Sequence, residues 1–166
     1  MPQDRSKAES GGLIARITPG VPAPAAWLGL SGLLPFAALA IASASLSGQI
    51  GDLAAAALAG YGAVILSFMG GCRWGFAAAG LGEGSAEDAI AWWRYAVSVL
   101  PALYAWPVML MIDPWRPALL ALGFVALLAA DIGLTRTGGA PAWWTALRWP
   151  LSLGAAGALL LGAVAG

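Results

Sequence analysis

Two charged residues lie inside strongly apolar runs, and a third stands at the edge of one. Arg73 sits in Ser67-Phe68-Met69-Gly70-Gly71-Cys72-Arg73-Trp74-Gly75, Asp131 lies in the run beginning near 116, and Arg94 heads the run ending near 112. A charge inside a membrane span costs roughly 3 kcal/mol on insertion scales, so it ordinarily meets an opposite charge, a water-filled cavity or the headgroups. The chemistry on offer is therefore an intramembrane ion pair, or an anion site built on arginine. Other chemistries are thinly supplied. There is no His and a single Cys, Cys72, which removes haem ligation through His, Ser-His-Asp and Cys-His catalysis, any His/Cys metal site and any internal disulfide. Cys72 reads as a small buried hydrophobe. Asp131 is the one carboxylate clearly inside a span, which leaves no carboxylate pair for acid–base work. No catalytic residue, metal or cofactor is assigned.

The elements that must position these charges follow from composition. Of 166 residues, 60% are hydrophobic and 10% charged, against roughly 45–50% and 25% in soluble domains, and the mean hydropathy is +0.81. This is an integral membrane protein with the lipid bilayer as its first partner. A net charge of zero without clustered Lys and Arg excludes a nucleic-acid footprint. Five apolar segments approach the ~20 residues that cross a bilayer, at about 25–46, 53–79, 94–112, 116–135 and 146–165. Residues 1–24, polar and rich in Gly and Pro, are expected to be a disordered tail ahead of a five-helix domain over 25–166. Residues 80–93 hold Glu83, Glu87 and Asp88 before Trp92, Trp93 and Arg94, and read as a short interfacial helix capped near Ser85. A cleaved signal peptide with its apolar core at 27–41 is the competing reading of the first segment, disfavoured by the long polar leader.

The fold class is an all-α membrane protein, a bundle of five transmembrane helices. With the N-terminus cytoplasmic, that side holds Arg5, Lys7, Arg16, Arg94, Arg136 and Arg148 while the far side holds only Arg116, as the positive-inside rule requires. The C-terminus then lies on the opposite side. Trp27, Trp92, Trp93, Trp143, Trp144 and Trp149 cluster at the cytoplasmic ends. Arg73 and Asp131 fall at similar depths, ~10 and ~7 Å before the ends of their spans at 1.5 Å per residue. They make a natural pair, with Arg94 as a second partner for Asp131 and snorkelling to the headgroups as the alternative for Arg73.

Small residues recur every four positions along span two, among them Ser67, Gly71 and Gly75, and along span five at Gly154, Ala158 and Gly162. Such ridges let helices approach closely, and their placement makes span two the expected central helix. Pro35, Pro101 and Pro107 lie within spans, where neighbours can satisfy freed carbonyls.

Tyr61-Gly62-Ala63 with Ser67-Phe68-Met69-Gly70-Gly71-Cys72-Arg73-Trp74-Gly75, then Tyr95 to Leu103 with Trp106, then Asp131 with Trp143-Trp144, Leu147-Arg148 and Pro150-Leu151-Ser152, resemble an uncharacterised integral-membrane family, domain of unknown function 3429. That family includes mitochondrial transmembrane protein 69. The resemblance spans about residues 25–162 and implies a multi-pass membrane protein without an established reaction. In the family's pattern His is common where Arg73 stands, and a basic residue often follows the aspartate, where Ile132 stands. A fixed cation in place of a titratable group argues against proton relay. The leading expectation is a non-enzymatic accessory or assembly protein of a bacterial cytoplasmic (inner) membrane, with a membrane-protein partner or a homo-oligomer. A small transporter or anion-binding channel using Arg73 in a cytoplasm-facing cavity is the alternative. A lipid- or quinone-acting membrane enzyme comes third.

Overall fold

The computed structural model describes residues 16–82, 89–111 and 114–165. Among them every regular element is a helix: α1 (Ala23–Ser31), α2 (Leu33–Ser45), α3 (Gln49–Ala78), α4 (Ala89–Met109), α5 (Trp115–Arg136) and α6 (Trp144–Ala165). Helices are what such apolar sequences must form in lipid, because a helix satisfies its backbone polar groups within one segment. α1 and α2 make one broken rod. Pro35 has no N–H for the Ser31 carbonyl and crowds it, and the helix divides at Gly32. The Tyr61 hydroxyl on α3 donates to the Gly32 carbonyl at 3.0 Å, supplying a partner at the break.

The helix boundaries differ informatively from those read in the sequence. α1 begins at Ala23, inside the expected tail, and Thr18 ahead of it is already buried. α3 starts at Gln49 rather than 53 and runs for 30 residues, ~45 Å at 1.5 Å per residue and longer than the ~30 Å hydrocarbon core. Of the interfacial helix expected over 80–93, residues 83–88 lie outside the described residues, 80–82 form a turn, and α4 starts at Ala89. Among the described residues four stretches are long and apolar enough to cross a membrane: Ala23–Ser45, Gln49–Ala78, Trp115–Arg136 and Trp144–Ala163. α4 is not among them. It has the length, 21 residues, but Trp92, Trp93, Arg94, Tyr95 and two prolines dilute its hydropathy.

α3 occupies the middle, packed against α2, α4, α5 and α6. α3 with α4 and α5 with α6 form two close hairpins, α2 lies against α3 and α6, and α4 touches α5 only sparsely. Phe36, Leu66, Leu120, Phe124 and Leu159 form the buried centre, with Phe36 edge-on to both Tyr61 and Phe124. Leu34, Ile41, Leu53, Phe68, Leu103, Leu122 and Leu161 project outward. An apolar exterior around a core that holds charges is the inverse of a water-soluble domain.

The small-residue ridge of α3 needs correction. Gly71 and Gly75 face open space, and the close approaches are made by Gly62 and Gly70. A methyl group at Gly70 would run into the Ser98 carbonyl oxygen and sit 3.2 Å from Pro101 Cγ. Pro101 has no N–H for the Val97 carbonyl, and its ring and the Ser98 carbonyl stand on the wall of α4 that meets the face carrying Gly70. The ridge drifts ~40° per four residues, so the contact passes to a neighbouring row. Ser67 donates to the Ala63 carbonyl of its own helix at 2.8 Å. In α6, a methyl group at Gly154 would sit 3.0 Å from Leu33 and one at Gly162 would sit 2.6 Å from Leu58, and Ala158 packs on the core.

Gly70→Ala should lower stability by ~1–3 kcal/mol through overpacking, whereas Gly71→Ala should be neutral or stabilising by up to ~1 kcal/mol from helix propensity. Thermal unfolding of both variants in one detergent reads the difference, and equal shifts would contradict the helix-facing assignment.

Candidate functional site

Asp131 stands five residues before the end of α5, as Arg73 does in α3, and Arg148 lies four residues into α6. α3 and α5 run parallel and α6 antiparallel to both, so the three side chains arrive at one level near one end of the bundle. Asp131 is fully buried. Its Oδ1 accepts a hydrogen bond from Arg73 Nη1 at 2.8 Å and its Oδ2 accepts one from Arg148 Nε at 2.7 Å. Charge-assisted bonds of this length are about twice as strong as neutral ones. Leaving any of these charges alone in the core would cost several kcal/mol.

Second contacts hold the cluster in shape. The Arg148 guanidinium lies 5.9 Å from the centre of the Trp144 ring, within cation–π range, and Trp144 stands edge-on to Phe76 of α3. One turn beyond Asp131, Thr145 on α6 donates to Thr135 Oγ1 at 2.8 Å, and Thr135 donates to the Asp131 carbonyl at 3.0 Å. Two polar rungs, Asp131–Arg148 and Thr135–Thr145, thus set the register of the α5–α6 hairpin. Trp143 and Trp144 pack against the core, and so depart from the interfacial belt expected for them.

The charges do not balance. Two guanidiniums share one carboxylate, and Arg148 Nη2, one turn from the equally unpartnered Ser152 hydroxyl, has no hydrogen-bond partner among the described residues. Arg148 borders a partly open space of about 110 Å³ between α1, α2, α3, α5 and α6, with Gly29, Gly32, Phe36 and Leu151 on its walls. Arg73 borders a larger groove, about 440 Å³, between α4 and α5. Among the described residues no three metal-ligating side chains come together, so the cluster's capability is electrostatic: fixing helices, or meeting an anion.

The structure brings Arg73 and Asp131 together and keeps Arg94 apart from them. Arg94 Nη2 donates to the Leu81 carbonyl and lies against Gly82 and Gly139, closing the turn after α3. Its place at the head of α4 holds it at the bundle's rim. Arg148 takes the second oxygen instead. Sequence reasoning counted Arg148 among the flanking cations because Trp143, Trp144 and Trp149 surround it. The signal that could have found it is the hairpin: Asp131 lies five residues before the end of α5 and Arg148 four residues into α6, so the fold-back at Gly138-Gly139 brings them to one level.

The sequence pattern of the family described as "Protein of unknown function (DUF3429)" matches residues 21–164. The chain belongs to this family. It is 39% identical over 129 residues to transmembrane protein 69 of Xenopus tropicalis, covering 76% of this chain and 48% of that protein. It is 34% identical over 129 residues to transmembrane protein 69 of Mus musculus, covering 76% and 50%. The chain thus spans about half the length of the curated relatives it matches. No solved structure matches it.

Asp131→Leu should cost ~3–5 kcal/mol, since it strands two cations. Adding Arg148→Met to it should cost less than the two single effects summed, by ~0.5–3 kcal/mol. Unfolding midpoints of the singles and the double in mild detergent test this, and simple additivity would remove the energetic link between the residues.

Proposed function

We propose that this membrane protein is a non-enzymatic accessory or assembly factor, and that the Arg73–Asp131–Arg148 cluster holds its helices in one rigid arrangement for docking to a membrane-protein partner or a second copy. The observation that carries this reading is the complete engagement of Asp131: both oxygens are bonded to cations from two other helices. A carboxylate so engaged has no free oxygen with which to take a proton from substrate, and no second interior carboxylate among the described residues stands beside it. A lipid- or quinone-acting enzyme therefore ranks last. A small transporter or anion-binding channel is the second reading, favoured by the unpartnered Nη2 of Arg148 beside its 110 Å³ cavity.

In this proposal all five rods cross the membrane. α4, though less apolar, is ~31 Å long at 1.5 Å per residue, the thickness of the hydrocarbon core, and it is packed along α3. The N-terminus is cytoplasmic and the C-terminus opposite, by the Lys and Arg distribution. The membrane is the bacterial cytoplasmic one in this reading, supported by the Ala- and Gly-rich composition.

Purification of the full chain in mild detergent, followed by mass spectrometry, should recover a stoichiometric protein partner or a defined oligomer. A bare monomer that conducts anions in liposomes would establish the second reading in its place. Cysteines introduced at positions 7 and 165 in a Cys72→Ala background should be labelled from opposite sides of intact cells, the first only after permeabilisation. Labelling of both from one side would end the five-span arrangement.

A further inference from the structure

The 440 Å³ groove between α4 and α5 is walled by Val97, Pro101 and Tyr104 on one side and Leu122 and Ala126 on the other. Leu100 and Leu122 on its rims are more than half exposed, so it opens sideways onto the apolar outer face. One end carries charge. There Arg73 borders the groove and, with Trp93 and Arg94, a second narrow cleft of about 10 Å³, the room of roughly one water-sized atom. Arg94 Nη1 is enclosed without a hydrogen-bond partner among the described residues. Arg73 commits Nη1 to Asp131, and its side chain keeps 10% of its surface open. Among the described residues Asp131 pairs with Arg73 and Arg148, and Arg94 stands apart from it at the rim with only the Leu81 carbonyl as its acceptor. Trp92 and Trp93, 77% and 49% exposed, flank Arg94 in the way aromatic residues mark the headgroup level.

A cationic mouth at the headgroup level opening into an apolar slot that runs inward along α4 matches one class of molecule: a phosphate joined to a hydrocarbon chain. We infer that the α4–α5 groove is a binding site for an anionic phospholipid, whose phosphate meets Arg94 and Arg73 while one acyl chain lies along Val97, Pro101, Tyr104, Leu122 and Ala126. Two guanidiniums beside the apolar slot, one of them with an unpartnered nitrogen, select an anionic lipid over a zwitterionic one. This inference goes beyond the helix-fixing role of the cluster and does not depend on it.

The test is native mass spectrometry of the full chain in detergent, with phosphatidylglycerol and phosphatidylcholine of identical acyl chains in competition. Phosphatidylglycerol should be retained in preference by about fivefold or more, the effect of one arginine near an anionic surface. Arg94→Gln should abolish that preference. Ala126→Phe, which fills the slot from its open side, should weaken retention of both lipids. Arg136→Gln, which removes an exposed cation at the same end of the bundle, should change neither. Equal retention of the two lipids by the unmodified protein overturns the inference without recourse to variants. Retention unaffected by Ala126→Phe but displaced by millimolar inorganic phosphate would assign the arginines to free phosphate, and also overturns it. Neither failure bears on the coupling of Asp131 with Arg148, which is read by unfolding.

Discussion

The arrangement of this bundle depends on one carboxylate that cannot be left alone. Asp131 has no exposed surface, and the helix that carries it must bring it to a cation. Because its two oxygens point to different neighbours, one residue sets two relationships: the level of α5 against α3 through Arg73, and the register of α5 against α6 through Arg148. In lipid, apolar side chains discriminate weakly between helix faces, since tails and Leu are equally apolar. The polar rungs therefore determine alignment, and the apolar contacts fill the space that this alignment leaves.

Backbone carbonyls pose the same problem on a smaller scale, and two tyrosines address it. The Tyr61 hydroxyl reaches the Gly32 carbonyl beside the break above Pro35. Tyr104 reaches the Leu119 carbonyl at 2.7 Å, and Gly123 leaves room for its ring, since a Cβ there would sit 2.8 Å from the ring edge. That bond is one of few ties between α4 and α5, and the groove opens on the same line.

Much of this was legible in the sequence, for identifiable reasons. Composition alone requires helices in lipid, and counting residues from helix ends puts Arg73 and Asp131 at one depth, since both depend only on rise per residue. What was not legible depends on azimuth and on local breaks. The ridge through Gly71 and Gly75 is regular on paper, yet α4 meets α3 at Gly70 instead, through the Ser98 carbonyl and the Pro101 ring. Arg148 lies among tryptophans like any interfacial cation, and only the fold-back at Gly138-Gly139 turns it inward. Arg94 was offered to Asp131 by sequence proximity to a span, but it sits too near the rim of α4 to reach.

The separation of 58 residues between Arg73 and Asp131 sets an order of events during synthesis. At roughly 5–20 residues per second, a ribosome delivers Asp131 about 3–12 s after Arg73. Arg148 follows another 17 residues later. For those seconds α3 carries an unanswered guanidinium, at roughly 3 kcal/mol on insertion scales. It stands five residues from the end of a 30-residue helix, within a long side chain's reach of the headgroups. The pair is thus completed by the part of the chain made last.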